Sequence, residues 1–344
     1  MIDGQLIDDA LRSKALKTRM DLKRISGGLQ RLRRPDSLNA VRHKLASMVD
    51  GVWALTVKRL QHVPSTTPVL EDDPRVALVT VNFSTTRYLK LMLATLAEQS
   101  ALGLLTRIVI VDNCSRDGGV GFLRELAARV DRIDLVERRH FLSHAHGMRA
   151  GVAALRRADR DLLPGERANH LLFSDTDVIW RNPDALLHFV AAAFAYDAAL
   201  AGEMRHVYVQ PDIQASLFLT RLDVYGDRRT APLINDGAPA YRLQRSICDR
   251  GLPVVDFPSN HGGYTLHRGR SGVAAAAKHY PGHPYARFQN TNAHFMGVPD
   301  GAAIWAAVEG RHADLLTTAA EPLLLDRLAD RFAALGTPFV LPNG

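Results

Sequence analysis

The sequence predicts an α/β protein built on a doubly wound, mainly parallel sheet flanked by helices. Three observations predict it. Apolar, β-branched runs of strand length alternate with helical periodicities four times between residues 75 and 178. The segments joining them are short. The polar residues within those runs gather at their C-terminal ends, where an open parallel sheet forms its ligand crevice. The bulk properties agree: 344 residues, 47% hydrophobic and 23% charged, suit a globular chain with a sizeable core.

Residues 1–62 read as a basic, amphipathic helical extension. They carry 13 Lys/Arg against 6 Asp/Glu, a difference of +7 that equals the net charge of the whole chain. The remaining body is therefore close to neutral, which argues against a nucleic-acid partner, and the leader lacks the interleaved aromatics that stack on single strands. Leu38, Val41, Leu45, Met48 and Val52 recur at three- and four-residue steps among basic residues. Such a helix suits an anionic membrane surface or packing on the main domain or a second subunit. Residues 63–74, within "QHVPSTTPVLEDDP", form a proline-bearing linker.

The domain proper is expected over 75–300, with a helical segment over 301–344. "RVALVTVNF" (75–83) is the first strand, apolar throughout as a strand covered on both faces must be. Helical spacing follows at 88–100, a strand at 106–115, a helix at 119–130, a strand at 132–138 and a helix at 146–158. "NHLLFSDTDV" (169–178) is the fourth strand. The apolar stretch 185–202 contains His188 and Asp197 and reads as a buried helix running into a strand. Sheet is expected at 206–222, a helix at 237–251, a short strand at 252–257, then a glycine- and histidine-rich loop.

Localisation and redox state follow from what the chain carries. The N-terminus begins with acids and no apolar core, so no signal peptide is predicted. Two cysteines make no disulfide framework, and Cys114 reads as a packed thiol. A cytoplasmic protein is expected, with the leader as a route to the inner membrane surface.

Asp175 and Asp177 interrupt the fourth apolar run. An unpaired buried carboxylate costs several kcal/mol, so these two belong at the strand mouth rather than within it. An Asp-x-Asp pair there can hold Mg²⁺ or Mn²⁺, hard cations that bridge carboxylates to substrate phosphates.

The blocks "VALVTVNFSTTRYLKLMLATLAEQS", "IVIVDNCSRDGG", "HAHGMRAGV" and "LLFSDTDVIWRNPDAL", in that order and spacing, resemble a family 2 glycosyltransferase of the GT-A fold. The similarity covers residues 75–190 well and 215–272 more loosely. It implies that Val81, Asn82 and Phe83 line a nucleotide base and that Asp112 meets the base or ribose. Asp175 would touch the ribose or the metal, and Asp177 would be the principal metal ligand. Where the family pattern has Asn, this chain has Arg149, whose planar fork suits a phosphate. The resemblance further implies a histidine completing the metal site. His267 fits that position best, with His261 and His294 as alternatives, and Arg268 and Arg270 would close over the diphosphate.

Glycosyl transfer also needs a carboxylate to take the acceptor's proton. Asp236, where family members carry an acidic residue, is the candidate, and helix capping is its other reading. The implied donor is a nucleotide-sugar. The acceptor is a hydroxyl on a glycan, a lipid-linked or a small molecule, with inversion at the anomeric carbon. "YRLQRSI" lacks the tryptophan of the processive signature, so single-sugar transfer is expected. Two other classes share this framework: a non-catalytic membrane or scaffold module on the same fold, and a sugar-phosphate nucleotidyltransferase. "NFSTTRY" lacks the glycine-rich loop that the latter needs.

Overall fold

The computed structural model describes residues 73–141, 143–205, 212–234, 239–280 and 291–337. The amphipathic leader and the linker up to residue 72, residues 206–211 of the expected sheet, and Asp236 lie outside the described residues.

Four parallel strands form the first half: β1 Val76–Asn82, β2 Leu105–Asp112, β3 Ile133–Glu137 and β4 His170–Ser174. Helices α1 Thr86–Leu96, α2 Val120–Arg129 and α3 His144–Ala158 follow the first three strands. Beyond β4 come β5 Val178–Trp180, α4 Ala185–Ala195, β6 Leu200–Arg205, β7 Asp212–Arg221 and the short α5 Leu222–Gly226. Then follow α6 Tyr241–Asp249, β8 Val254–Asp256, β9 Thr265–His267 and α7 Ser271–His279. Helices α8 Gly301–Arg311 and α9 Glu321–Phe332 complete the described chain.

The main sheet has the order β3-β2-β1-β4-β7-β6-β8. β7 runs antiparallel to both of its neighbours, so β6 and β8 point the same way as the first four strands. The protein is thus a mainly parallel seven-stranded sheet flanked by helices. All seven β1 residues are buried because both faces are covered. Val76, Leu78, Ile108 and Leu172 pack under α1, α2, α4 and α9. Ala77, Val79, Val109 and Phe173 pack under α3, α5 and α6. Gly147 and Gly151 let α3 lie close on β1, since a Cβ at Gly151 would stand 2.5 Å from Val79 Cγ1.

Two local expectations need revision. The run 169–178 is not one strand: β4 stops at Ser174, residues 175–177 turn, and β5 joins β9 in a separate antiparallel ribbon. The carboxylates explain the break, because continuing β4 through them would carry both into the core. The glycine- and histidine-rich stretch is not all loop either. It contains β9 and leads into α7, whose alanine run the glycines on either side obscured.

Candidate functional site

The carboxyl ends of β1, β2, β4, β6 and β8 open on one edge of the sheet, and the polar residues collect there. At β1 and β2, Asn82 ties the strand ends together. Its amide donates to Asp112 Oδ1 at 3.1 Å and to Thr86 Oγ1 at 3.0 Å, and its carbonyl oxygen accepts from Thr85 N at 3.1 Å. The second Asp112 oxygen accepts from Ser115 N at 3.1 Å. Ser84 and Cys114 both adopt positive φ, turning the chain sharply after each strand. Beside them Phe83 is stacked between Phe141 and Tyr280, with ring centroids at 4.3 and 4.6 Å. The Tyr280 hydroxyl donates to Cys114 O and lies 2.9 Å from Ser84 Oγ. Val81 turns its side chain the other way, into the core beneath α3, so its backbone alone faces the edge.

At β4 the turn brings three ligating groups together. One donor atom each from Asp175, Asp177 and His267 lie within 4.8 Å of one another. His267 Nε2 is 3.2 Å from Asp177 Oδ1 and 3.7 Å from Asp175 Oδ2. The ribbon register produces this: His267 pairs with Val178, the residue after Asp177. Asp175 N donates to Ser216 O at 2.7 Å, which anchors the turn on β7. Asp177 Oδ2 accepts from Ser271 Oγ at 2.5 Å, and Arg268 N donates to Asp177 O at 2.9 Å.

The charges in this group are strongly coupled. Burial works to raise the Asp177 carboxyl, but His267, the Ser271 hydroxyl and Arg268 outweigh it and hold it well below the usual carboxylate range. Burial works to lower His267, and the attraction of Asp177 and Asp175 overrides that and holds the imidazole above its ordinary value. The two carboxylates thus favour the protonated form of His267, which sits between them. The two carboxylate oxygens suit Mn²⁺ or Mg²⁺, and the imidazole nitrogen, a softer ligand, favours Mn²⁺ of the two. His267 Nδ1 has no hydrogen-bond partner among the described residues.

The remaining predicted residues take distinct places. The Arg268 guanidinium lies over the Tyr88 ring at 4.9 Å, and Nη1 reaches Ser271 Oγ at 3.3 Å. Arg270 has φ of +66° and precedes α7 with an exposed side chain. Arg149 Nη1 donates to Leu233 O at 2.5 Å and Nη2 lies 3.5 Å from His146 Nδ1. His294 sets its ring edge-on against His267 with centroids 5.8 Å apart, outside the ligating group. Gly269 is required there, because a Cβ would stand 2.2 Å from His294 Nε2. His261 joins Glu203 instead.

The sequence groups His140, His144 and His146 near the crevice but gives them no metal-ligand spacing, and of these His144 Nε2 lies 3.3 Å from Asp175 Oδ1. The available signal was the serine before it: Ser143 caps α3 by accepting from His146 N, which fixes His144 in the first helical turn beside the crevice. Phe141, Tyr280 and Ser271 were missed, and nothing local marked them.

No protein-family model matches the sequence, and no curated protein matches it either. Solved structures do. The mannosyltransferase PcManGT from Pyrobaculum calidifontis, in complex with GDP-Man and Mn²⁺, is 18% identical, covering 87% of this chain and 85% of its own, with a TM-score of 0.45. S. aureus TarS 1–349 in complex with UDP-GlcNAc is 12% identical, covering 76% of this chain and 89% of its own, with a TM-score of 0.40.

Proposed function

We propose that the protein is a metal-dependent glycosyltransferase that moves one sugar from a nucleotide-sugar donor to a hydroxyl acceptor. The observation that carries this reading is the convergence of Asp175, Asp177 and His267 at the mouth of β4. It lies on the same sheet edge as the aromatic and acidic residues that end β1 and β2. A nucleotide-sugar lays out base, ribose, diphosphate and sugar in sequence. Phe83 and Asp112 stand at the nucleoside end of that layout. Asp175, Asp177 and His267 stand at the diphosphate, and Arg268 and Arg270 flank it.

When bound, Mn²⁺ or Mg²⁺ supplies charge neutralisation for the leaving diphosphate. The protein's own contribution is positional. Ser271 and the Arg268 amide hold Asp177, the contact with Ser216 holds the turn at Asp175, and the β5/β9 register presents His267. Attack by the acceptor hydroxyl in a single displacement inverts the anomeric carbon, and the hydroxyl loses its proton as it attacks. The sequence offers Asp236 as one candidate for that proton, and Asp236 lies outside the described residues.

The test is a turnover screen. Release of nucleoside diphosphate from a panel of UDP- and GDP-sugars is followed with Mn²⁺ and with EDTA, and the product anomer is read by NMR. Metal-dependent release from one donor, with an inverted product, is expected. Release unaffected by EDTA, or absent with every donor, would remove the reading.

A further inference from the structure

Glu203 is the fourth residue of β6 and is 5% exposed. A carboxylate buried to this degree needs partners, and it has four. Oε2 takes three donors, which shape the turn after β8: Ser259 Oγ at 3.2 Å, Asn260 Nδ2 at 2.8 Å and Asn260 N. Oε1 is given wholly to His261 Nδ1. The turn is therefore secured without the histidine, whose side chain is 54% exposed while that of Glu203 is 7% exposed. Burial works against the Glu203 charge, but the bonds from His261 and Asn260 prevail and keep it a carboxylate. An acceptor on Nδ1 fixes the tautomer of the neutral ring and leaves its lone pair on Nε2.

The position of this pair matters as much as its chemistry. β6 and β8 run in the direction of β4, so Glu203 and the turn after β8 lie on the edge that carries the ligating group. Asn260 Oδ1 accepts from His267 N at 2.8 Å, which joins the pair to that group through one residue. Along the edge the order is aromatic slot at β1 and β2, carboxylates at β4, histidine–carboxylate pair at β6 and β8. On the reading of the preceding subsection, on which this inference rests, that order places the pair on the sugar and acceptor side of the diphosphate.

We propose that His261, oriented by Glu203, takes the proton of the attacking hydroxyl. The hydroxyl oxygen forms its bond to the anomeric carbon, and the bond from that carbon to the diphosphate oxygen breaks with its electron pair leaving on the phosphate. The hydroxyl proton passes to His261 Nε2 and later to water. His261 is the catalytic group, Glu203 a positioning residue.

The experiment uses the full chain, Mn²⁺ and the UDP- or GDP-sugar that binds tightest, with water as acceptor. Donor binding is measured first by calorimetry, with and without EDTA. His261→Gly and His261→Gln are then compared with wild type. A loss of about 10²–10⁴-fold in kcat is expected, with donor affinity unchanged. Imidazole added to the assay should restore part of the activity of His261→Gly and none of that of His261→Gln. Glu203→Gln should lower kcat without raising KM for the donor. Unchanged kcat in His261→Gly, or a loss that imidazole leaves unmoved while donor binding is intact, would overturn the proposal alone. Absence of metal-dependent donor binding in wild type would overturn the transferase reading itself.

Discussion

On the proposed reading, Asp177 carries two jobs that pull in opposite directions. As a buried carboxylate it needs a positive partner, and the His267 imidazole, whose protonated form the two aspartates favour, stands 3.2 Å away. A cation must displace the imidazole's proton, since imidazole ligates only when neutral. His267 is raised, so cation affinity should climb as pH increases through its elevated pKa and fall as pH drops below it. Calorimetry in two buffers of different ionisation enthalpy should show proton release on Mn²⁺ binding; no release would contradict the assignment. Asp177→Asn should abolish metal-dependent nucleotide binding and reduce turnover by at least about 10²-fold, on the scale of losing one preorganised electrostatic group. A variant that binds Mn²⁺ and nucleotide as wild type does would remove Asp177 from the site.

At the scale of elements, two couplings hold the sheet and its covering helices together. The first is the fit of α3 on β1. Gly151→Ala would drive a methyl to within 2.5 Å of Val79 Cγ1 and 3.1 Å of Val111 Cγ2. Overpacking of this kind costs about 1–3 kcal/mol, which urea unfolding should register as a lowered midpoint with unchanged slope. The second coupling is the start of β4. His170 is buried against Phe194, and burial, with Arg221 adding to it, pushes its imidazole down to about 4. The unfolded chain binds a proton near pH 6.5 and the folded chain does not until about 4. Stability should therefore fall as pH drops through that window, by up to about 3 kcal/mol. His170→Gln should flatten that slope relative to wild type, and an unchanged slope would contradict it.

These elements also show what the sequence could and could not reveal. β1, β2 and their helices were legible because a strand buried on both faces is apolar throughout and its helices carry a clean period. The β5/β9 ribbon was not legible. Its two strands have three residues each and are separated by more than eighty in sequence, so no local pattern records their pairing. Asp175, Asp177 and His267 could be named as a group only through a family resemblance. Glu203 could not be named at all, since "LAGEMR" reads as an ordinary strand and its partner lies 58 residues on.

For the molecule as a whole, the C-terminal helix α9 is part of the same core as the sheet. Leu324, Leu325, Leu328 and Phe332 of α9 are buried in the cluster that contains β1 and α1. The helix is tied down by Lys90 to Glu321 at 2.5 Å and by Arg331 Nε to Ala97 O at 2.7 Å. Four such side chains contribute about 6–12 kcal/mol when buried, comparable to the whole stability of a typical domain. Removing residues 321–344 should leave a chain that is insoluble or melts far below wild type. An unshifted melting temperature would show that α9 is dispensable. Among the described residues no helix is long and apolar enough to cross a membrane.

The central claim is that Asp175, Asp177 and His267 hold a divalent cation for a nucleoside diphosphate, and electron paramagnetic resonance of Mn²⁺ tests it most directly. Free Mn²⁺ has a sharp six-line signal that is lost on binding to protein. Titration into wild type should consume the signal at one site per chain, more tightly when UDP or GDP is present, and Asp177→Asn should leave it at full intensity. A signal that wild type leaves untouched with either nucleotide, or that the variant removes equally well, would contradict the account.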